Sequence, residues 1–229
     1  MKITFDKGFL CDGCKRRYGE SQIAYKYKES CICKRCFDNF KSYSKEAYFG
    51  VSDEVEFLVS AFHYKSIYRK IFLDFKFNGQ FAYGHVLGMA MADVLKERDV
   101  FSNYQYIVTV PVSKERFAER GYNQSEVLAE YISKAIDIPI NNALVRIKHS
   151  APQSTVHTSL RAKNVKGAYL STETFNGENI IIFDDICTTG STVTECARTL
   201  KRAGAGKICV ISGAHNVQQW IDRTIHRFI

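Results

Sequence analysis

"IIIFDDICTTGST", residues 180–192, runs four apolar residues into two adjacent acids, then into small hydroxyl residues around one glycine. The apolar residues read as a short buried strand, Ile180–Phe183, with Asp184 and Asp185 emerging from its carboxyl end. Neighbouring carboxylates repel each other and resist desolvation, so a polar or cationic group should come to meet them. Next comes "VTECARTLKRAG" (193–204), in which Val193, Cys196, Ala197 and Leu200 recur at helical spacing. Gly204 is placed to end that helix, read at 192–203. Residues Ile186, Cys187, Thr188, Thr189, Gly190, Ser191 and Thr192 therefore form a strand-to-helix loop. Its N–H groups and the first helical turn make an anion site. The four hydroxyls add donors, and Gly190 lets backbone approach closely.

One ligand with two ends satisfies both halves. A phosphate sits in the loop, and vicinal hydroxyls donate to Asp184 and Asp185. A ribose 5-phosphate has both. The competing reading is an ordinary N-cap loop beside a surface pair of acids.

Working outward, strands and helices alternate from residue 86. "VLGMAMADVLKER" (86–98) and "GYNQSEVLAEYISKAI" (121–136) are helical, "YQYIVTVPV" (104–112) is a short buried strand, and strands are expected at 168–171 and 207–213. A strand near 57–64 and a helix near 66–77 precede them. Residues 149–166 are polar and aperiodic, which reads as a long mobile loop. The pattern gives an α/β chain with a mainly parallel sheet flanked by helices, where ligands bind beyond the carboxyl ends of strands.

The chain has 229 residues, 45% of them apolar, enough for one domain with a small appendage. Global disorder is excluded by composition. No apolar run is long enough for a membrane span, and the start lacks a signal-peptide core, so a cytoplasmic location is expected. Net charge is +8; residues 1–50 carry eleven Lys/Arg against six Asp/Glu. A basic end suits a polyanionic partner, and equally a solvated surface.

Five of eight cysteines fall between residues 11 and 36. "CDGC" (11–14) and "CKRC" (33–36) are two C-x-x-C knuckles, so Cys11, Cys14, Cys33 and Cys36 have the spacing of a structural zinc ribbon. Cys31 is a fifth thiol that can replace Cys33 in an altered geometry, and a redox dithiol is the other alternative. The expected division is a zinc-ribbon module at 1–50 and the α/β domain at 51–229. Aromatics and cations interleave in "RRYGESQIAYKYKES" (16–30) and "HYKSIYRKIFLDFKF" (63–77). Such a pattern holds single-stranded nucleic acid, or else packs as core with its lysines snorkelling.

"IIIFDDICTTGST" closely resembles the phosphoribosyl pyrophosphate (PRPP) motif of type I phosphoribosyltransferases. "VPVSKERFAERGYNQS" (110–125), "APQSTVHTSLRAKNVKGAY" (151–169) and "FKFNGQ" (75–80) resemble segments of the ComF competence family. With the cysteines, the resemblance spans nearly the whole chain. Ser113 stands where the family usually has proline, and Tyr122 where it has phenylalanine. The resemblance implies a type I phosphoribosyltransferase fold, with Asp184 and Asp185 on the ribose. It implies a pyrophosphate loop through Ser113, Lys114 and Arg116, with Arg120 nearby, and a flexible loop closing through Gln153, Arg161 and Lys163. Mg²⁺ would accompany PRPP. It further implies a part in natural transformation, with single-stranded DNA and the DNA-uptake machinery at the inner membrane as partners. The alternative is an active phosphoribosyltransferase moving ribose 5-phosphate to a base or other acceptor. No base-reading segment and no general base beside the loop is legible, so the acceptor stays open.

Overall fold

The computed structural model describes residues 8–41, 47–64, 66–97, 100–148 and 165–215. Its centre is a five-stranded sheet made of β5 (Ala47–Ser52), β6 (Val55–His63), β7 (Tyr106–Thr109), β10 (Ile180–Cys187) and β11 (Ile208–His215). Their spatial order is β5-β6-β11-β10-β7. Every pairing is parallel except β5 with β6. The strands β10 and β11 are apolar on both faces because helices cover both. Ile181, Phe183, Cys209 and Ile211 enter the core beneath α2 (Ser66–Phe77), α3 (Phe81–Leu95) and α5 (Gln124–Ile136). Ile180, Ile182, Ile208 and Val210 enter the opposite core, beneath α6 (Ser191–Arg202). There β8 (Leu144–Arg146) pairs with β9 (Tyr169–Ser171) as a small antiparallel ribbon.

The cysteine region contains β1 (Phe9–Leu10) paired with β2 (Arg17–Tyr18), the hairpin β3 (Ile23–Tyr27) and β4 (Ser30–Cys33), and α1 (Lys34–Lys41). It packs on α3. Tyr27 stacks on His85 with centroids 3.8 Å apart, and the Tyr25 hydroxyl bonds Asp93. Cys11, Ile32, Cys33 and Cys36 belong to the same buried cluster as Phe72 and Phe75.

Three local expectations change. The strand of the decisive stretch continues to Cys187 instead of stopping at Phe183, because β11 stays paired with it as far as Cys187↔His215. Residues 114–120 form an extra helix, α4 (Lys114–Arg120), capped by the Ser113 side chain, which accepts from the Arg116 N–H. The following helix starts at Gln124 and not at 121. Gly121, at φ +78°, ends α4, its N–H donating to the Phe117 carbonyl. Asn123 then caps α5 by accepting from the Ser125 N–H at 3.1 Å.

Candidate functional site: a cleft at the strand ends

β7 follows β10 only as far as Phe183↔Thr109, and the Val110 N–H to Phe183 carbonyl bond closes the ladder. Beyond that point the β7 chain turns away through Pro111 while β10 runs on beside β11. The divergence opens a cleft with an enclosed volume of about 110 Å³. Asp184, Asp185 and the whole Ile186–Thr192 loop line it, so the structure brings the expected acids and phosphate loop together.

Asp185 is 7% exposed, and its carboxylate takes an ion pair from Lys76 at 2.6 Å. Asp184 lies beside it with its Oδ1 accepting from the Asp185 N–H at 2.9 Å. Burial, and then the neighbouring Asp185 charge, push the Asp184 carboxyl up to about 8. The loop is organised for a guest: Gly190 sits at φ +75° as the N-cap of α6 and supplies no side-chain cap. The first turn of α6, Ser191–Val193, lines the cleft, with the Ser191 N–H donating to the Thr189 hydroxyl at 3.4 Å. Thr189 and Ser191 hydroxyls lie 3.0 Å apart within the same loop. The Cys187 thiol is buried and raised by that burial, which makes it a packing group and not a nucleophile.

Cations form the facing wall. Arg116 and Arg120 from α4 reach the cleft, as do Lys76 from α2 and Arg146 from β8. Burial and then the nearby Arg116 charge lower the Arg120 pKa, with Asp185 and Glu119 acting against them. The Arg120 Nε is buried without a hydrogen-bond partner among the described residues. Ser113 serves as the cap of α4, and Lys114 lines a neighbouring depression instead of the cleft. Gln153, Arg161 and Lys163 lie outside the described residues. Sequence reasoning did not assign Lys76 or Arg146 a role. "FKFNGQ" contains Lys76 but gives no sign that the last turn of α2 ends over the acids. Arg146 sits in a three-residue strand with no motif around it.

The second site is the cysteine cluster. The Sγ atoms of Cys11, Cys14, Cys33 and Cys36 all lie within 4.8 Å of one another. Cys11–Cys36 is 3.8 Å and Cys14–Cys33 is 4.0 Å. A tetrahedral ion with metal–sulfur bonds of about 2.3 Å places its ligands about 3.8 Å apart, so these four thiols can hold a metal ion and are compatible with a zinc ribbon. Cys31 is turned aside, its thiol donating to the Leu10 carbonyl at 3.3 Å. Among the described residues no βαβ unit of the thioredoxin kind surrounds either knuckle.

The aromatic–cation stretches are mostly core. Tyr68, Phe72 and Phe75 are buried, and Tyr25 and Tyr27 pack on α3. Phe77 is the exception, at 57% exposed. No helix among the described residues is long and apolar enough to cross a membrane.

Sheet order, crevice and the acid-plus-small-residue loop define a type I phosphoribosyltransferase domain. Residues 123–222 match the phosphoribosyl transferase domain family. Competence protein F of Haemophilus influenzae is 28% identical over 215 residues, 89% of either chain. Competence protein ComFC of Streptococcus pneumoniae is 27% identical over 218 residues, covering 93% of this chain and 90% of that one. DNA utilization protein YhgH of Escherichia coli K12 is 36% identical over 105 residues, 45% of this chain and 46% of that one. Over most of its length the chain is thus similar to the competence proteins F and ComFC, and its phosphoribosyl transferase domain is preceded by a cluster of four cysteines.

Proposed function

We propose that the protein binds PRPP in this cleft and serves natural transformation on the cytoplasmic side, where it assists uptake or processing of single-stranded DNA. The observation that carries the reading is the meeting of two acids and an anion-binding loop in one cleft, under a wall of cations. The 5-phosphate occupies the Thr188–Thr192 loop at the α6 N-terminus. The ribose hydroxyls donate to Asp184 and Asp185. The pyrophosphate faces Arg116 and Arg120, and the unpartnered Arg120 Nε supports an anion there. Asp184, Asp185 and the pyrophosphate are oxygen donors of the kind Mg²⁺ takes; bound there with PRPP, the ion would supply charge neutralisation at the leaving pyrophosphate. Ser113 shapes the pyrophosphate loop as the α4 cap, and Lys114 lies beside that loop in the neighbouring depression; the resemblance to the ComF family assigns Gln153, Arg161 and Lys163 to the loop that closes over PRPP.

Zinc is the metal this reading assigns to the four thiols, with residues 1–50 as the ribbon module and 51–229 as the phosphoribosyltransferase-like domain. The printed names of the relatives, competence and DNA utilization proteins, support the cellular role. The alternative is transfer of ribose 5-phosphate to an acceptor. It gains support from the same acids, which lie where positive charge would develop at C1.

The test is titration of PRPP with Mg²⁺ into the wild type and into Asp184→Asn with Asp185→Asn. The double variant should lose binding; undiminished affinity refutes the site. A screen for PRPP-dependent pyrophosphate release against bases and oligonucleotides separates binding from transfer.

A further inference from the structure

α4 carries its functional side chains in two directions. Arg116 and Arg120 enter the cleft, whereas Phe117 between them is 50% exposed. Phe117 lines a second, shallower depression of about 270 Å³ with Pro111, Val112, Lys114, Asn123 and Glu126. Pro111 and Val112 line both spaces, so the depression adjoins the cleft directly. On the other flank Phe77 is 57% exposed, with the Arg120 guanidinium 4.8 Å from its ring centroid. Two solvent-facing aromatic rings thus border a site lined by four cations, while the other aromatics of the 63–77 stretch with described side chains are buried or half-buried.

We propose that Phe77 and Phe117 are stacking platforms for bases of single-stranded DNA, which would bring a strand across the mouth of the cleft. This rests on the nucleic-acid part of the function proposed above and names its surface. An exposed phenylalanine ring offers a face every base can stack on. Lys114 and Arg116 beside Phe117, and Arg120 beside Phe77, give the backbone phosphates cations at both platforms. Glu126 already accepts from the Asn123 amide at 3.0 Å, and its carboxylate meets base amines and not phosphates. A duplex buries its base faces and cannot use either ring, so the surface selects unpaired strands. The ribbon, for all its basic charge, packs Tyr25 and Tyr27 against α3 and contributes charge in place of stacking.

The experiment measures binding of an oligothymidylate of about 20 nucleotides, and of an abasic strand of equal length, by fluorescence anisotropy. Phe77→Ala and Phe117→Ala should each weaken oligothymidylate binding about tenfold, in the range of one lost base stack. The Phe→Trp variants should restore it, and abasic-strand binding should not change. PRPP titration and urea midpoints confirm that the variants are folded. Unchanged oligothymidylate affinity in the alanine variants overturns the platforms. A wild type that binds neither strand removes the DNA reading as a whole, leaving the PRPP site to stand on its own titration.

Discussion

Lys76 and Asp185 offer the most direct test of how the cleft is held together. Their 2.6 Å contact joins side chains that are only 17% and 10% exposed. At an effective dielectric of about 20, that separation corresponds to roughly 6 kcal/mol of gross attraction. Desolvation of both groups takes back more than half, leaving a net coupling of about 2 kcal/mol. Lys76→Met should cost about 3 kcal/mol, because it leaves Asp185 buried next to a second acid. Asp185→Asn keeps the oxygen that accepts from the Ile186 N–H at 2.7 Å. Adding it to Lys76→Met should therefore recover most of the loss. The assay is a double-mutant cycle by urea unfolding at neutral pH, checked for constant m values. A coupling of less than about 0.5 kcal/mol, the level of an exposed surface pair, refutes the argument.

The Asp184 carboxyl lies at about 8 in the folded protein, against an ordinary value of 3.8. A raised folded-state value means stability present at low pH is lost as pH climbs from about 4 towards 8. Asp184→Asn should flatten that limb of the pH–stability profile. Metal analysis should find about one zinc per chain. Cys33→Ser should lose it and destabilise the ribbon, and Cys31→Ser should retain it. A Cβ at Gly213 would stand 2.7 Å from the Asp185 carbonyl oxygen and 2.8 Å from the Met91 side chain. Gly213→Ala should therefore cost about 1–3 kcal/mol and weaken PRPP binding, read by urea unfolding and titration; a neutral effect would show that β11 does not brace the acids.

The central strands β10 and β11 were legible because they are buried on both faces and read as unbroken apolar runs, Ile180–Phe183 and Ile208–Ile211; the edge strand β5 (Ala47–Ser52) carries no such run and was not expected. The acids and the loop were legible because they are contiguous in sequence. Lys76 and Arg146 were not, because their place in the cleft depends on how α2 and β8 dock, and no local pattern encodes that. The α4 helix was missed for a related reason. Seven residues with exposed Phe117 and two acids show no apolar stripe, and only Ser113 and Gly121 mark its ends. Aromatic spacing at 63–77 left its own question open, because it does not distinguish rings facing the core from rings facing solvent.

The parting of β7 from β10 has one more consequence. Where two strands separate, main-chain donors usually lose their partners and demand water or a ligand. Here the chain answers from within, since Asp184 Oδ1 takes the Asp185 N–H and Asp185 Oδ1 takes the Ile186 N–H. The gap is thus a resting state of the sheet, ready before any guest arrives, and a newcomer need not unzip strands to enter. Amide exchange at Asp185 and Ile186 should accordingly be slow in the apo protein, at positions where a frayed strand tip would exchange fast.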